Sequence, residues 1–89
     1  MKIIITNSFK KAAKKLVRNQ IQIVEDVIDE IEKKPELGEL KKGDLAGIRV
    51  YKFHVHKQLM LLAYKYNKKE IALLSLSTHE NFYRNLKKK

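Results

Sequence analysis

The chain has no cysteine among its 89 residues. That excludes a disulfide framework and any thiolate metal site, and it fits a reducing cytoplasm. Long apolar runs are missing as well, and none approaches the roughly 20 residues a membrane span needs. The opening run Ile3-Ile4-Ile5 is too short for a signal peptide. Proline occurs once, as Pro35, and all three glycines fall between Gly38 and Gly47. There are no internal repeats and no low-complexity linker. Gly43 and Gly47 lack the Lys-Ser ending of a phosphate-binding loop, and no spacing suggests a Ser/His/Asp triad. A chain this short supports one core, so residues 1–89 read as a single soluble, intracellular domain.

Acidic residues are scarce in the second half. Residues 1–40 hold eight Lys/Arg against seven Asp/Glu, whereas residues 41–89 hold twelve against three. The total of +10 is therefore concentrated in one half of the chain. Such a surface attracts phosphate backbones, or acidic protein partners.

The periodicities divide the chain. Lys2 to Thr6 is short and β-branched, a strand, and Asn7 or Ser8 offers a helix N-cap. Phe9, Ala12, Ala13, Leu16 and Val17 form one stripe of an amphipathic helix, with lysines opposite. Ile21, Val24, Val27, Ile28 and Ile31 form a second, with an acidic outer face and Asp29/Lys33 and Glu30/Lys34 spaced for ion pairs. Pro35 ends it. Residues 36–47 read as a loop. Three strands follow, Ile48 to Val55, Leu59 to Tyr66 and Ile71 to Ser77, and the middle one is apolar on both faces, so it belongs in the centre of the sheet. Ser77 and Glu80 make a capping box for a short last helix beginning at Thr78. The expected fold is α+β: β-α-α-β-β-β with a short C-terminal helix, a helical hairpin packed on a small, mainly antiparallel sheet.

His79 then lies in the first turn of that helix, where free N–H groups favour anions. An imidazole there can give or take a proton near neutral pH, which metal-free RNA cleavage requires. Lys52, His54 and His56 alternate and share a strand face, and Lys57 follows at the turn. These four, with Arg84 and Lys87, are candidate RNA-binding residues. No complete metal shell is in sight, and no cofactor is expected. Tyr51, Phe53, Tyr64 and Tyr66 read as core and sheet packing rather than base-stacking platforms.

The stretch Ser77-Thr78-His79-Glu80-Asn81-Phe82-Tyr83-Arg84-Asn85-Leu86 resembles the C-terminal signature of the RelE/ParE toxin superfamily. Leu40-Lys41-Lys42-Gly43-Asp44-Leu45-Ala46-Gly47-Ile48-Arg49-Val50-Tyr51 is similar to the approach to the second strand in the same toxins, and the element order agrees over essentially the whole chain. The resemblance implies a cytoplasmic toxin of a toxin–antitoxin module, neutralised by a cognate acidic antitoxin. It further implies an endoribonuclease acting on mRNA at the ribosome, with His79, Tyr83 and Arg49 as catalytic residues. Several RelE-like nucleases carry an arginine four residues before the histidine, where this chain has Ser75; Arg84 offers charge from another direction. The alternatives are a ParE-like inhibitor of DNA gyrase without nuclease activity, and a non-catalytic small basic RNA-binding protein.

Overall fold

Half-buried strands need a partner layer, and in the computed structural model two helices supply it on one sheet face. The structure describes residues 2–42 and 47–79. In order these are strand β1 (Lys2–Ile5), helix α1 (Asn7–Lys14), helix α2 (Arg18–Lys33), a 3-10 turn (Pro35–Leu37), and strands β2 (Glu39–Leu40), β3 (Arg49–Val55), β4 (Gln58–Tyr66) and β5 (Glu70–Thr78). The sheet order is β1-β5-β4-β3-β2. The doubly apolar β4 is thus central, as its composition requires, with Leu61, Leu62 and Tyr64 all fully buried.

Three pairings are antiparallel, and β1 lies parallel to β5. The parallel pair brings the N-terminus onto the last strand, with Ile5 opposite Leu73. Thr6 locks that junction. Its hydroxyl donates to the Leu73 carbonyl at 2.8 Å and accepts the Phe9 N–H at 3.4 Å. It is therefore Thr6, rather than Asn7 or Ser8, that caps α1.

The main core lies between helices and sheet. Phe9, Val24, Val27 and Ile31 meet Phe53, Val55, Met60, Leu62, Tyr64, Ile71, Leu73 and Leu76. A bulge where Ala63 pairs with Ser75 but Tyr64 with Leu73 inserts Leu74 into β5. The insertion lets both Leu73 and Leu76 face this core. Val50, Leu61 and Ala63 form a second buried cluster on the other sheet face, with Ile48 and Leu74 against it.

Several expectations are corrected. Helix α1 is shorter than its stripe: it ends at Lys14, and Val17, 60% exposed, is the N-cap of α2. The Gln20 side chain accepts the Val17 N–H at 3.0 Å, which stabilises that start. The loop at 36–47 contains the short edge strand β2, recruited by β3. Glu30 accepts the Tyr51 hydroxyl at 3.2 Å, and Lys34 has already left the helix. Strand β5 runs through Thr78, because Met60 still pairs there, so no helix begins at that residue. The short C-terminal helix expected there falls on residues outside the described ones.

His56, the first of two loop residues between β3 and β4, has φ 59°. A left-handed backbone is costly for any side chain and worst for a β-branched one. His56→Val should therefore be less stable than His56→Gly by about 1–2 kcal/mol. Thermal unfolding of the two variants checks this, and equal midpoints would remove the strain argument.

Candidate nucleic-acid interface and active site

The site residues are placed by strand alternation. On β3, Phe53 and Val55 are buried and Tyr51 half-buried toward the helices, which turns Lys52 and His54 to the opposite face, both exposed. The register across the sheet then sets their neighbours. Lys52 pairs with Leu61, which pairs with Ser77, so these three share a row and a face. His54 pairs with Leu59 at the same sheet end where Met60 pairs with Thr78. His79, exposed, follows directly after Thr78. Two strand spacings of about 4.8 Å put His54 and His79 on the order of 10 Å apart across β4. His56 and Lys57 form the exposed turn beyond His54. One end of the sheet thus collects Lys52, His54, His56, Lys57 and His79.

Such a cluster can hold a phosphodiester. Lys52 and Lys57 supply ammonium groups, and the imidazoles offer ring nitrogens that can donate or accept a proton. Ser75 pairs with Ala63 on the same face, so position 75 places a hydroxyl there. Tyr83, Arg84 and Lys87 lie outside the described residues.

Arg49 is not brought to this cluster. It pairs with the core residue Tyr64 at the far end of β3, on the helix-facing side of the sheet, and five residues, or about 16 Å along the strand, separate it from His54. Its guanidinium donates to the carbonyls of Gly38 (2.8 Å) and Glu36 (3.2 Å) and lies 5.6 Å from the centre of the Tyr66 ring. Arg49, which the resemblance puts among the catalytic residues, is thus placed apart from His79. Here the arginine fastens the turn after Pro35 to the sheet.

Tyr64 completes the fastening. Its hydroxyl donates to the Pro35 carbonyl at 2.6 Å and accepts the Gly38 N–H at 2.8 Å. Burial raises the Tyr64 pKa, opposed by the Gly38 N–H and the Arg49 charge, so the phenol stays protonated at neutral pH. Gly38 is required by contact: a Cβ there would sit 2.7 Å from the Tyr64 oxygen. Tyr64→Phe leaves a buried Gly38 N–H without its acceptor, at a cost of about 1–3 kcal/mol. Urea unfolding measures it, and a loss below about 0.5 kcal/mol would mean that the turn finds another partner. Sequence reasoning missed this knot because Gly38 and Tyr64 are joined only by the fold.

With this geometry, similarity to known proteins can be weighed. The family model for the ParE-like toxin of type II bacterial toxin–antitoxin systems matches residues 3–87. The chain belongs to this family. Solved structures agree on the fold. The YoeB/ParE toxin from Agrobacterium tumefaciens superposes with a TM-score of 0.69 at 19% identity, covering 89% of this chain and 99% of that one. The toxin–antitoxin complex RelBE2 from Mycobacterium tuberculosis gives 0.73 at 16% identity, covering 88% and 96%. A conserved hypothetical protein from Helicobacter pylori, solved in solution, gives 0.56 at 28% identity, covering 90% and 96%. No curated protein matches the chain. The ParE-like toxin has the two helices and five-stranded, mostly antiparallel sheet of the RelE/ParE superfamily. Among its described residues no helix is long and apolar enough to cross a membrane.

Proposed function

We propose that the protein is the toxin of a toxin–antitoxin pair and acts in the cytoplasm as a metal-independent endoribonuclease on ribosome-associated mRNA. The observation that carries this reading is the convergence of His79 with Lys52 and His54 at one sheet end. A 2′-hydroxyl loses its proton to a base and attacks the adjacent phosphorus. The 5′-oxygen leaves as it gains a proton, giving a 2′,3′-cyclic phosphate and a 5′-hydroxyl end. His79 is the proton-transfer group. The β3 residues Lys52 and His54, with Lys57 from the turn, take the charge of the crowded phosphorane that an arginine at position 75 would otherwise meet. Tyr83 and Arg84 complete the candidate set by their place in the sequence, and Lys87 adds backbone affinity. A cognate acidic antitoxin neutralises the toxin by covering its basic surface.

A second reading is kept because Ser75 stands where several RelE-like nucleases carry arginine, and the matching family is ParE-like. It is inhibition of DNA gyrase without cleavage. One experiment separates the two. The purified toxin is incubated with ribosome-bound mRNA, with cut ends mapped by primer extension, and in parallel with gyrase and relaxed plasmid. Cleavage without loss of supercoiling supports the nuclease; intact RNA with inhibited supercoiling assigns the protein to gyrase. Intact RNA together with normal supercoiling would leave a binding protein only.

A further inference from the structure

A groove of about 490 Å³ lies between α2 and β1, and it shares no residue with the cluster around His79. Its floor is apolar, made by Ile3, Ile5, Ile28 and Leu73, while the exposed Glu25 and Asp29 of α2 stand at its rim. Among the described lining residues there is no basic group, the reverse of a chain whose formal charge is +10. Among the described residues neither carboxylate has an ion-pair partner. Strand β1 is an edge of the sheet. The N–H groups of Lys2 and Thr6 donate to the Lys69 and Leu73 carbonyls of the β5 side. Successive strand residues turn their backbone groups to opposite edges, so Ile4 also bonds β5, whereas Ile3 and Ile5 aim N–H and C=O outward, beside the groove. Among the described residues nothing pairs with them there. Lys2 is the one charge on β1, and Ile5 is 55% exposed, so little guards this edge.

We propose that this edge receives a basic extended arm of a partner protein, which adds to β1 as a strand. A chain laid there closes hydrogen bonds with the outward groups of Ile3 and Ile5. Its alternate side chains fall on the helix side, where lysine stems cover the isoleucine floor and their ammonium groups reach the rim. Glu25 and Asp29 stand one helical turn apart, about 6 Å, against about 6.7 Å between alternate side chains of a strand, so two successive lysines match both carboxylates. The same charges decide against other occupants. RNA or an acidic chain would bring anions to an acidic rim, and a second copy pairing β1 to β1 would set Glu25 and Asp29 against their own counterparts. Ile5 pairs with Leu73, five residues before Thr78, or about 17 Å along β5, so a docked arm leaves the His79 end of the sheet open. The inference goes beyond the nuclease reading and does not depend on it, since that reading does not use this surface.

The test uses the full chain and three probes: an end-blocked peptide of alternating Lys and Val, its Glu/Val counterpart, and oligouridylate. The Lys/Val peptide should bind although the protein itself carries +10. Amide exchange should then slow at Ile3 and Ile5 but not at Ile4, whose N–H already bonds β5. The Glu/Val peptide should not bind. Glu25→Lys combined with Asp29→Lys should weaken the Lys/Val peptide by about tenfold or more, with an unchanged far-UV spectrum because both side chains are exposed. Saturating oligouridylate should leave the peptide in place. Affinity insensitive to the double reversal, protection confined to other strands, or displacement by oligouridylate would overturn the proposal. Slow exchange at Ile3 and Ile5 in the free chain would overturn it too, because the edge would then already be paired. Cleavage activity is not among these readouts, so a failed nuclease reading leaves the outcome unaffected.

Discussion

His79→Ala should slow RNA cleavage by about 10²–10⁴-fold, the usual worth of a positioned proton donor or acceptor. The substitution removes an imidazole that is exposed, at the end of β5, and that no buried cluster includes. Folding stability should therefore change by less than about 0.5 kcal/mol, as for other surface substitutions. Growth arrest on expression should disappear while soluble yield is kept or rises. Tyr83→Phe then separates roles within the same stretch. It keeps the ring, so lost cleavage with normal RNA affinity assigns the hydroxyl to chemistry. A His79→Ala protein that still arrests growth, leaves RNA whole and inhibits gyrase would sink the nuclease reading.

RNA affinity should fall steeply with salt. The second half of the chain carries twelve Lys/Arg against three Asp/Glu, and Lys52, Lys57 and the histidines cluster at one sheet end. Each phosphate neutralised on a single strand contributes about 0.7 to the slope of log affinity against log salt. Engaging about four phosphates then costs about 50-fold between about 50 mM and about 200 mM salt. Lys52→Ala should weaken binding to all sequences alike and lower the slope by about 0.7. Fluorescence anisotropy with a labelled oligouridylate measures both. A flat salt response would rule out a phosphate-reading surface.

These two experiments address different parts of the same cluster. The first asks whether a proton moves at His79; the second asks whether the β3 lysine and turn residues hold the backbone. A protein with the salt slope but no His79 effect would be a binding module that cuts nothing. A protein with neither would direct attention to gyrase.

Much of the architecture was legible in local periodicity. The helical stripes on Phe9 to Val17 and Ile21 to Ile31, exposed at Val17 and Ile21 but otherwise packed on the core, the three late strands and the central place of β4 all follow from which faces are apolar. The alternation that turns Lys52 and His54 away from the core is equally local, so the side they share could be read residue by residue. Charge asymmetry also needs no structure, because it is a property of composition. Local signals misled at element ends. Thr6 displaced Asn7 and Ser8 as cap because it alone also bonds the Leu73 carbonyl.

What only the tertiary structure decided depends on contacts between distant residues. The resemblance put Arg49 among the site residues, yet the carbonyls its guanidinium bonds, of Glu36 and Gly38, are brought to it only by the fold. The parallel pairing of β1 with β5, the bulge at Leu74 and the groove between α2 and β1 likewise arise where segments distant in sequence meet. The reason is physical. Periodicity reports which face of an element avoids water, a property each segment carries alone. The element facing it, and the register, are chosen by closing long loops and filling shared volume, to which distant segments contribute together.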